Sequence, residues 1–240
     1  MTFPTASKPV AATASRPGVE PIKPFYYACR ATGRFIFFCT MRLWQIRPEL
    51  GDREGGYLLA LTHLGHLDPF CSSILLRRPM HWMTRREFFV NRIYGWLLSR
   101  AGAFPVNRQG IPVRAVRRAI GYARDGRIVG ICPEGGRKLG ADAAVRGGRI
   151  RKGVCSIAIR AGVPIVPCVM VGTHDLSRVG PWLPFKRARL WVAYGEAIHP
   201  PPGPSTREKR ERLREQLSET YQRLYREVCD RYGIDDAWTP

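Results

Sequence analysis

Carboxylates are scarce in this chain. Nineteen Asp and Glu face thirty-nine Lys and Arg across 240 residues, which leaves a formal charge of +20 and a pI near 10.5. A surface this basic matches anionic partners: nucleic acid, an acidic membrane or phosphorylated substrates. Lysine supplies only six of the thirty-nine cations, so a compositional bias toward Arg contributes, and charge alone does not choose among those partners. Paired cysteines are missing as well. Cys29, Cys39, Cys71, Cys132, Cys155, Cys168 and Cys229 are scattered, with no CxxC and no His at metal-ligand spacing. This gives no metal or disulfide framework and fits a reducing compartment, where a Cys in an apolar stretch acts as a small hydrophobe. Eighteen consecutive apolar residues occur nowhere, so no transmembrane helix is expected. Residues 1–20 lack the basic start and apolar block of a signal peptide. The expected location is the cytosol or the cytosolic face of a membrane. No Ser or Cys sits in a GxSxG-like turn, which disfavours a hydrolase with a nucleophile elbow.

What is present is a folded composition, 45% hydrophobic and 24% charged. Residues 1–24, rich in Pro, Ala, Ser and Thr, read as a disordered leader. Residues 25–46 are aromatic and aliphatic, interrupted by Arg30, Arg34 and Arg42. Arginines in an apolar helix can snorkel to headgroup level, so an amphipathic membrane-anchor helix is expected there; a core-packing helix is the plainer alternative. From residue 57, short apolar runs alternate with amphipathic stretches: strands near 57–63, 81–84, 103–106, 128–133, 163–172 and 188–195, and helices near 68–76, 86–100, 112–125 and 151–161. That β-α order predicts an α/β fold over residues 47–204, with a mixed, largely parallel sheet covered by helices. Residues 205–240 form a C-terminal unit whose long helix opens on a Ser205–Glu208 capping box. Leu213, Leu217, Tyr221, Leu224 and Val228 step along one face of it.

Chemistry concentrates where strands end. His63 closes the first buried strand, and Asp68 follows five residues later. A histidine acting as general base needs access to substrate and a carboxylate to fix its tautomer. Asp68 can supply that carboxylate, or can simply cap the helix that Pro69 opens; His66 is a competing base. Cys132-Pro133-Glu134-Gly135-Gly136-Arg137-Lys138 follows another strand, with glycines that let amides converge on an anion and an Arg fork for phosphate. It lacks the GK[ST] of a P-loop. Gly102 to Arg108 delivers Arg108 at a strand end. Arg151-Lys152-Gly153, ahead of Val163 to Pro167, adds cations and a rigid strand entrance.

In this order and at these separations, the four pieces resemble the glycerol-phosphate and lysophosphatidic acid acyltransferase family. His63–Asp68 is similar to its HxxxxD block, Gly102–Arg108 to its second block, Pro133–Arg137 to its PEGTR block, and Val163–Pro167 to its VPIVP block. The resemblance implies that His63 deprotonates an acceptor hydroxyl, which attacks the thioester of acyl-CoA or acyl-carrier protein without an acyl-enzyme. It implies that Asp68 orients His63, and that Arg108, Glu134, Gly135, Gly136, Arg137 and Lys152 bind the acceptor, with no cofactor and no metal. The implied acceptor is a lyso-phospholipid such as 1-acylglycerol-3-phosphate, met by a peripheral or monotopic protein at an anionic membrane surface; no nucleic-acid partner is expected. The chain departs from the family pattern at Thr62 (usually Asn), Gly65 (commonly Ser), Cys132 (usually Phe) and Gly136 (usually Thr). A different lyso-lipid, an amino-acid-derived lipid, or a non-catalytic lipid-binding relative therefore stay open.

Overall fold

The structure, a computed structural model, describes residues 23–107, 112–174 and 188–235. The leader expected over 1–24 lies outside these residues except for its last two. At the centre is β2 (Tyr57–Leu61), buried at all five positions. Leu58 and Ala60 enter one core cluster while Tyr57, Leu59 and Leu61 enter another. A strand apolar on both faces must be covered on both, which is the condition of a parallel sheet. β2 pairs in parallel with β5 (Ile128–Ile131) and β6 (Ile165–Val171). β3 (Met80–Arg85) and β4 (Ala103–Val106) extend that side, also in parallel. β7 (Ala188–Tyr194) is antiparallel to β6, and β1 (Met41–Ile46) runs parallel to β7. Among the described residues the order is β1-β7-β6-β2-β5-β3-β4. The expected mixed, largely parallel sheet is the one observed.

The N-terminal segment differs from expectation. Its helix, α1 (Lys23–Thr40), stops six residues before the expected end, and Met41–Ile46 join the sheet as an edge strand. Met41 and Ile46 are buried, and Trp44 stacks on Trp191 of β7 at 5.2 Å between ring centroids. Cross-strand aromatic pairing of this kind stabilises a strand where helical periodicity alone suggests a helix. The α/β unit thus begins at residue 41 rather than 47. Nor does every arginine of the segment snorkel: Arg30 is buried and donates to the carbonyl of Arg77, and Arg42 lies on the strand.

Helix α1 turns Tyr26, Arg30, Gly33 and Phe37 inward. It packs on α3 (Asp68–Leu75), where a Cβ at Gly33 would lie 2.9 Å from Ile74 Cδ1. On the opposite face of the sheet sit α5 (Val113–Arg124), α6 (Gly153–Ala161) and the long α7 (Arg207–Tyr232). The apolar stripe read on α7 is buried throughout, with Leu213, Leu217, Tyr221, Leu224 and Val228 at 0–1% exposure; each such Leu contributes roughly 1.5–3 kcal/mol of burial. Its cap is Thr206, whose hydroxyl accepts from the Lys209 amide, one residue past the expected Ser205. The helix expected over 86–100 is divided: a 3₁₀ turn over Arg86–Phe89 precedes α4 (Arg92–Arg100). Asn91 makes the division by accepting from the amides of Ile93 and Tyr94, a side-chain bond that competes with continuing the helix.

Arg47 ties α7 to the end of the sheet. It adopts a left-handed backbone (φ 53°), bonds the Tyr194 carbonyl through Nε at 3.0 Å, and grips Glu227 with both terminal nitrogens at 2.8 and 2.5 Å. Those bonds hold the Glu227 carboxyl below the usual carboxylate range. A depressed native pKa means the stabilisation is complete above the ordinary Glu value and is lost as pH falls through the lowered one. Glu227→Gln should therefore show a shallower fall of Tm between about pH 5 and pH 3 than the native chain, measured by calorimetry.

Candidate active site

The parallel strands β2, β5 and β6 end together, at the edge of the sheet where α/β folds place their chemistry. Two residues beyond β2 stands His63, its side chain 16% exposed. Its Nδ1 lies 3.2 Å from Oδ2 of Asp68, a carboxylate with no exposure at all. Asp68 does open α3, but its carboxylate does not cap that helix; Oδ2 accepts from the Gly65 amide at 2.9 Å, and Oδ1 accepts from the Thr173 hydroxyl. The loop therefore folds back and directs the carboxylate at the imidazole. His66 is exposed; of the two histidines, His63 is the one the carboxylate holds.

The Cys132–Lys138 turn braces His63 from the β5 side. Glu134, 2% exposed, accepts the His63 amide on Oε2 at 2.5 Å and the Ala144 amide on Oε1 at 2.8 Å. The Lys138 amide then donates to the His63 carbonyl at 3.2 Å. Both backbone polar groups of His63 are thus fixed by one loop. Burial raises the Glu134 carboxyl above its ordinary value, and the two amide bonds oppose that rise. Both Glu134 oxygens are thus turned onto main-chain amides, one of them that of His63; the resemblance implied an acceptor contact for this residue.

The remaining expected residues divide. Gly135 (φ 75°) turns the chain, and its amide closes the turn on the Cys132 carbonyl instead of pointing at an anion. A Cβ there would come within 2.2 Å of Arg151 Nε, so Arg151 lies across this glycine. Gly136 is half-buried and Arg137 exposed. Lys152 is ion-paired with Glu211 of α7, which also pairs with Arg214. Arg108 lies outside the described residues. A cavity of about 750 Å³ is lined by Glu134 and Glu211 together with Lys138, Arg149, Arg151, Lys152 and Arg214. Glu134 thus lines this basic cavity while one of its carboxylate oxygens holds the His63 amide.

Two hydroxyl contacts have no counterpart in the sequence pattern. Thr62, the departure ahead of His63, is buried and accepts the Met170 amide on Oγ1 at 3.1 Å, joining β2 to β6. Thr173, just past β6, reaches Asp68 across 105 positions of chain. Neither has a local signal beyond being a short hydroxyl at a strand end. Burial pushes the Cys71 thiol up to about 12 and the Cys155 thiol up to about 11, away from the thiolate that nucleophilic chemistry needs. Among the described residues no group of three or more His, Cys, Asp or Glu is placed to hold a metal.

A sequence profile described as Acyltransferase matches residues 45–171, more than half of the chain. The chain belongs to the acyltransferase family. It is 28% identical over 147 residues to a 1-acyl-sn-glycerol-3-phosphate acyltransferase of Bacillus subtilis (strain 168), covering 61% of this chain and 68% of that one. It is 29% identical over 178 residues to a protein of the same name from Chlamydomonas reinhardtii, covering 72% of this chain. The match takes in only half the length of that relative, and 53% of a third, 24% identical, from Streptococcus pneumoniae. The acyltransferase also shares its fold with the crystal structure of the 1-acyl-sn-glycerophosphate (LPA) acyltransferase PlsC from Thermotoga maritima, at TM-score 0.64 and 18% identity over 86% of this chain and 78% of that one.

Proposed function

We propose that this acyltransferase moves a fatty acyl group from acyl-CoA or acyl-carrier protein to the hydroxyl of a lyso-phospholipid, 1-acylglycerol-3-phosphate, in phospholipid biosynthesis. The carrying observation is the His63–Asp68 pair, at 3.2 Å with the carboxylate fully buried. With Nδ1–H donating to Asp68, Nε2 holds the lone pair that takes the acceptor's hydroxyl proton. The alkoxide oxygen attacks the thioester carbonyl, the tetrahedral intermediate expels the thiolate, and His63 returns its proton to the sulfur. Holding the acceptor's phosphate would position that hydroxyl and convert remote binding energy into rate. Arg137, with Arg108 and the backbone at Gly136, is assigned this task, and the basic cavity that Glu134 lines adds positive potential. The test is acyl transfer from labelled acyl-CoA and acyl-carrier protein to 1-acylglycerol-3-phosphate and a panel of other lyso-lipids. Vesicle binding without any acylated product would replace this reading with a lipid-binding one. Arg137→Ala should raise the acceptor KM by about 10- to 100-fold, the value of a charge-assisted bond, with the donor KM nearly unchanged.

Access to such substrates favours a peripheral or monotopic seat on an anionic membrane surface at the cytoplasmic face. Among the described residues no helix is long and apolar enough to cross a membrane. Yet Phe35, Ile36 and Phe38 of α1 are 55–83% exposed, and Val90, just ahead of α4, with Ile93 and Tyr94 in its first turn are 64–79% exposed. Phe25 and Trp96 join the two helices edge to face, and Leu67 and Phe70 lie exposed on either side of Asp68. Apolar side chains of this size among arginines suit the boundary of a bilayer. Phe35→Glu combined with Phe38→Glu should move the protein from floated anionic vesicles into the supernatant; unchanged flotation would remove α1 from the docking face.

A further inference from the structure

Asp68 is a fully buried carboxylate, and its two oxygens are held from different parts of the chain. Oδ2 meets His63 Nδ1 and the Gly65 amide, both within five residues of Asp68. Oδ1 meets the hydroxyl of Thr173, which is 2% exposed and follows the last residue of β6 by two. Gly65 and Thr173 are coupled by volume as well. A Cβ built on Gly65 would lie 2.2 Å from Thr173 Oγ1 and 2.6 Å from Thr173 Cβ, distances that real atoms do not tolerate. The position where the commoner Ser would place its side chain is therefore filled by the Thr173 hydroxyl.

We infer that Thr173 is a positioning residue for proton transfer, and that Gly65 is glycine because Thr173 needs its space. A carboxylate rotates easily about χ2, whose profile is broad. Bonds at Oδ2 alone would leave Asp68 free to swing that oxygen off the imidazole. A donor on Oδ1, fixed at the end of a buried strand, sets the carboxylate plane and keeps Oδ2 facing Nδ1. The Thr173 hydroxyl bonds Asp68 rather than His63; its effect passes through Asp68, as outer partners of catalytic groups generally act. The inference rests on the reading of His63 as the base.

The experiment compares the full chain with Thr173→Val, Thr173→Ser, Asp68→Ala and the Asp68→Ala/Thr173→Val double variant, using acyl-CoA and 1-acylglycerol-3-phosphate. Thr173→Val should lower kcat by about 10- to 100-fold, the usual cost of losing an outer partner, with both KM values within about twofold. Thr173→Ser, which restores the hydroxyl alone, should recover most of the loss. In the Asp68→Ala background the Val substitution should change kcat by less than about twofold, because the residue it acts through is gone. Native kcat in Thr173→Val, failure of Ser to rescue, or the same fold-loss with and without Asp68 would each overturn the inference. His63→Ala, assayed alongside, separates the two ideas: full activity in that variant would sink the base assignment itself, whatever Thr173 does.

Discussion

His63→Ala should lower kcat for acyl transfer by about 10²- to 10⁴-fold, the range for removing a positioned general base, with the fold intact. Little stability should be lost, because the Glu134 and Lys138 bonds go to the backbone of residue 63 and survive the substitution. The imidazole is also partly exposed, so its removal leaves no sealed cavity. The combination to look for is near-native Tm and acceptor KM with kcat almost gone. A variant that keeps a tenth or more of native kcat would mean that the proton leaves by another route.

Glu134→Ala should be the more damaging change to the whole molecule. It strips two buried amides, those of His63 and Ala144, of their acceptor. An unsatisfied buried donor costs about 1–3 kcal/mol, so a loss of roughly 2–5 kcal/mol is expected, reduced if water enters from the adjoining cavity. For a chain of this size each kcal/mol lowers Tm by roughly 2–4 °C. Calorimetry should therefore record a drop of several degrees or more, and kcat should fall with it because the strand end carrying His63 is no longer braced. A substrate-contact role would instead leave Tm in place and raise the acceptor KM.

These outcomes bear on what the sequence disclosed. The His63–Asp68 contact is legible because five residues separate them and the intervening loop is short enough to close. The parallel sheet is legible because its strands are uniformly apolar runs. The role of Glu134 is harder to read: an acid inside a glycine turn looks like a group that meets ligand, and only the folded chain shows both of its oxygens turned onto main-chain amides. Thr173 is invisible for a related reason. Its partner lies 105 residues away, and no periodicity or spacing links a single hydroxyl to a carboxylate across such a gap. At the N-terminus the aromatic run reads as helix and is one up to Thr40, but helix and edge strand share the same apolar alphabet there. The pairing of Trp44 with Trp191 decides the matter, and that is a tertiary contact.

The junction between α1 and β1 has a mechanical meaning. Thr40 ends the helix and Met41 begins the strand with no residue between them, so α1 is bolted to the sheet rather than leashed to it. A leashed enzyme samples many heights and tilts above whatever surface holds it. With α1 as the proposed membrane contact, a bolted helix would set the direction in which the strand ends face.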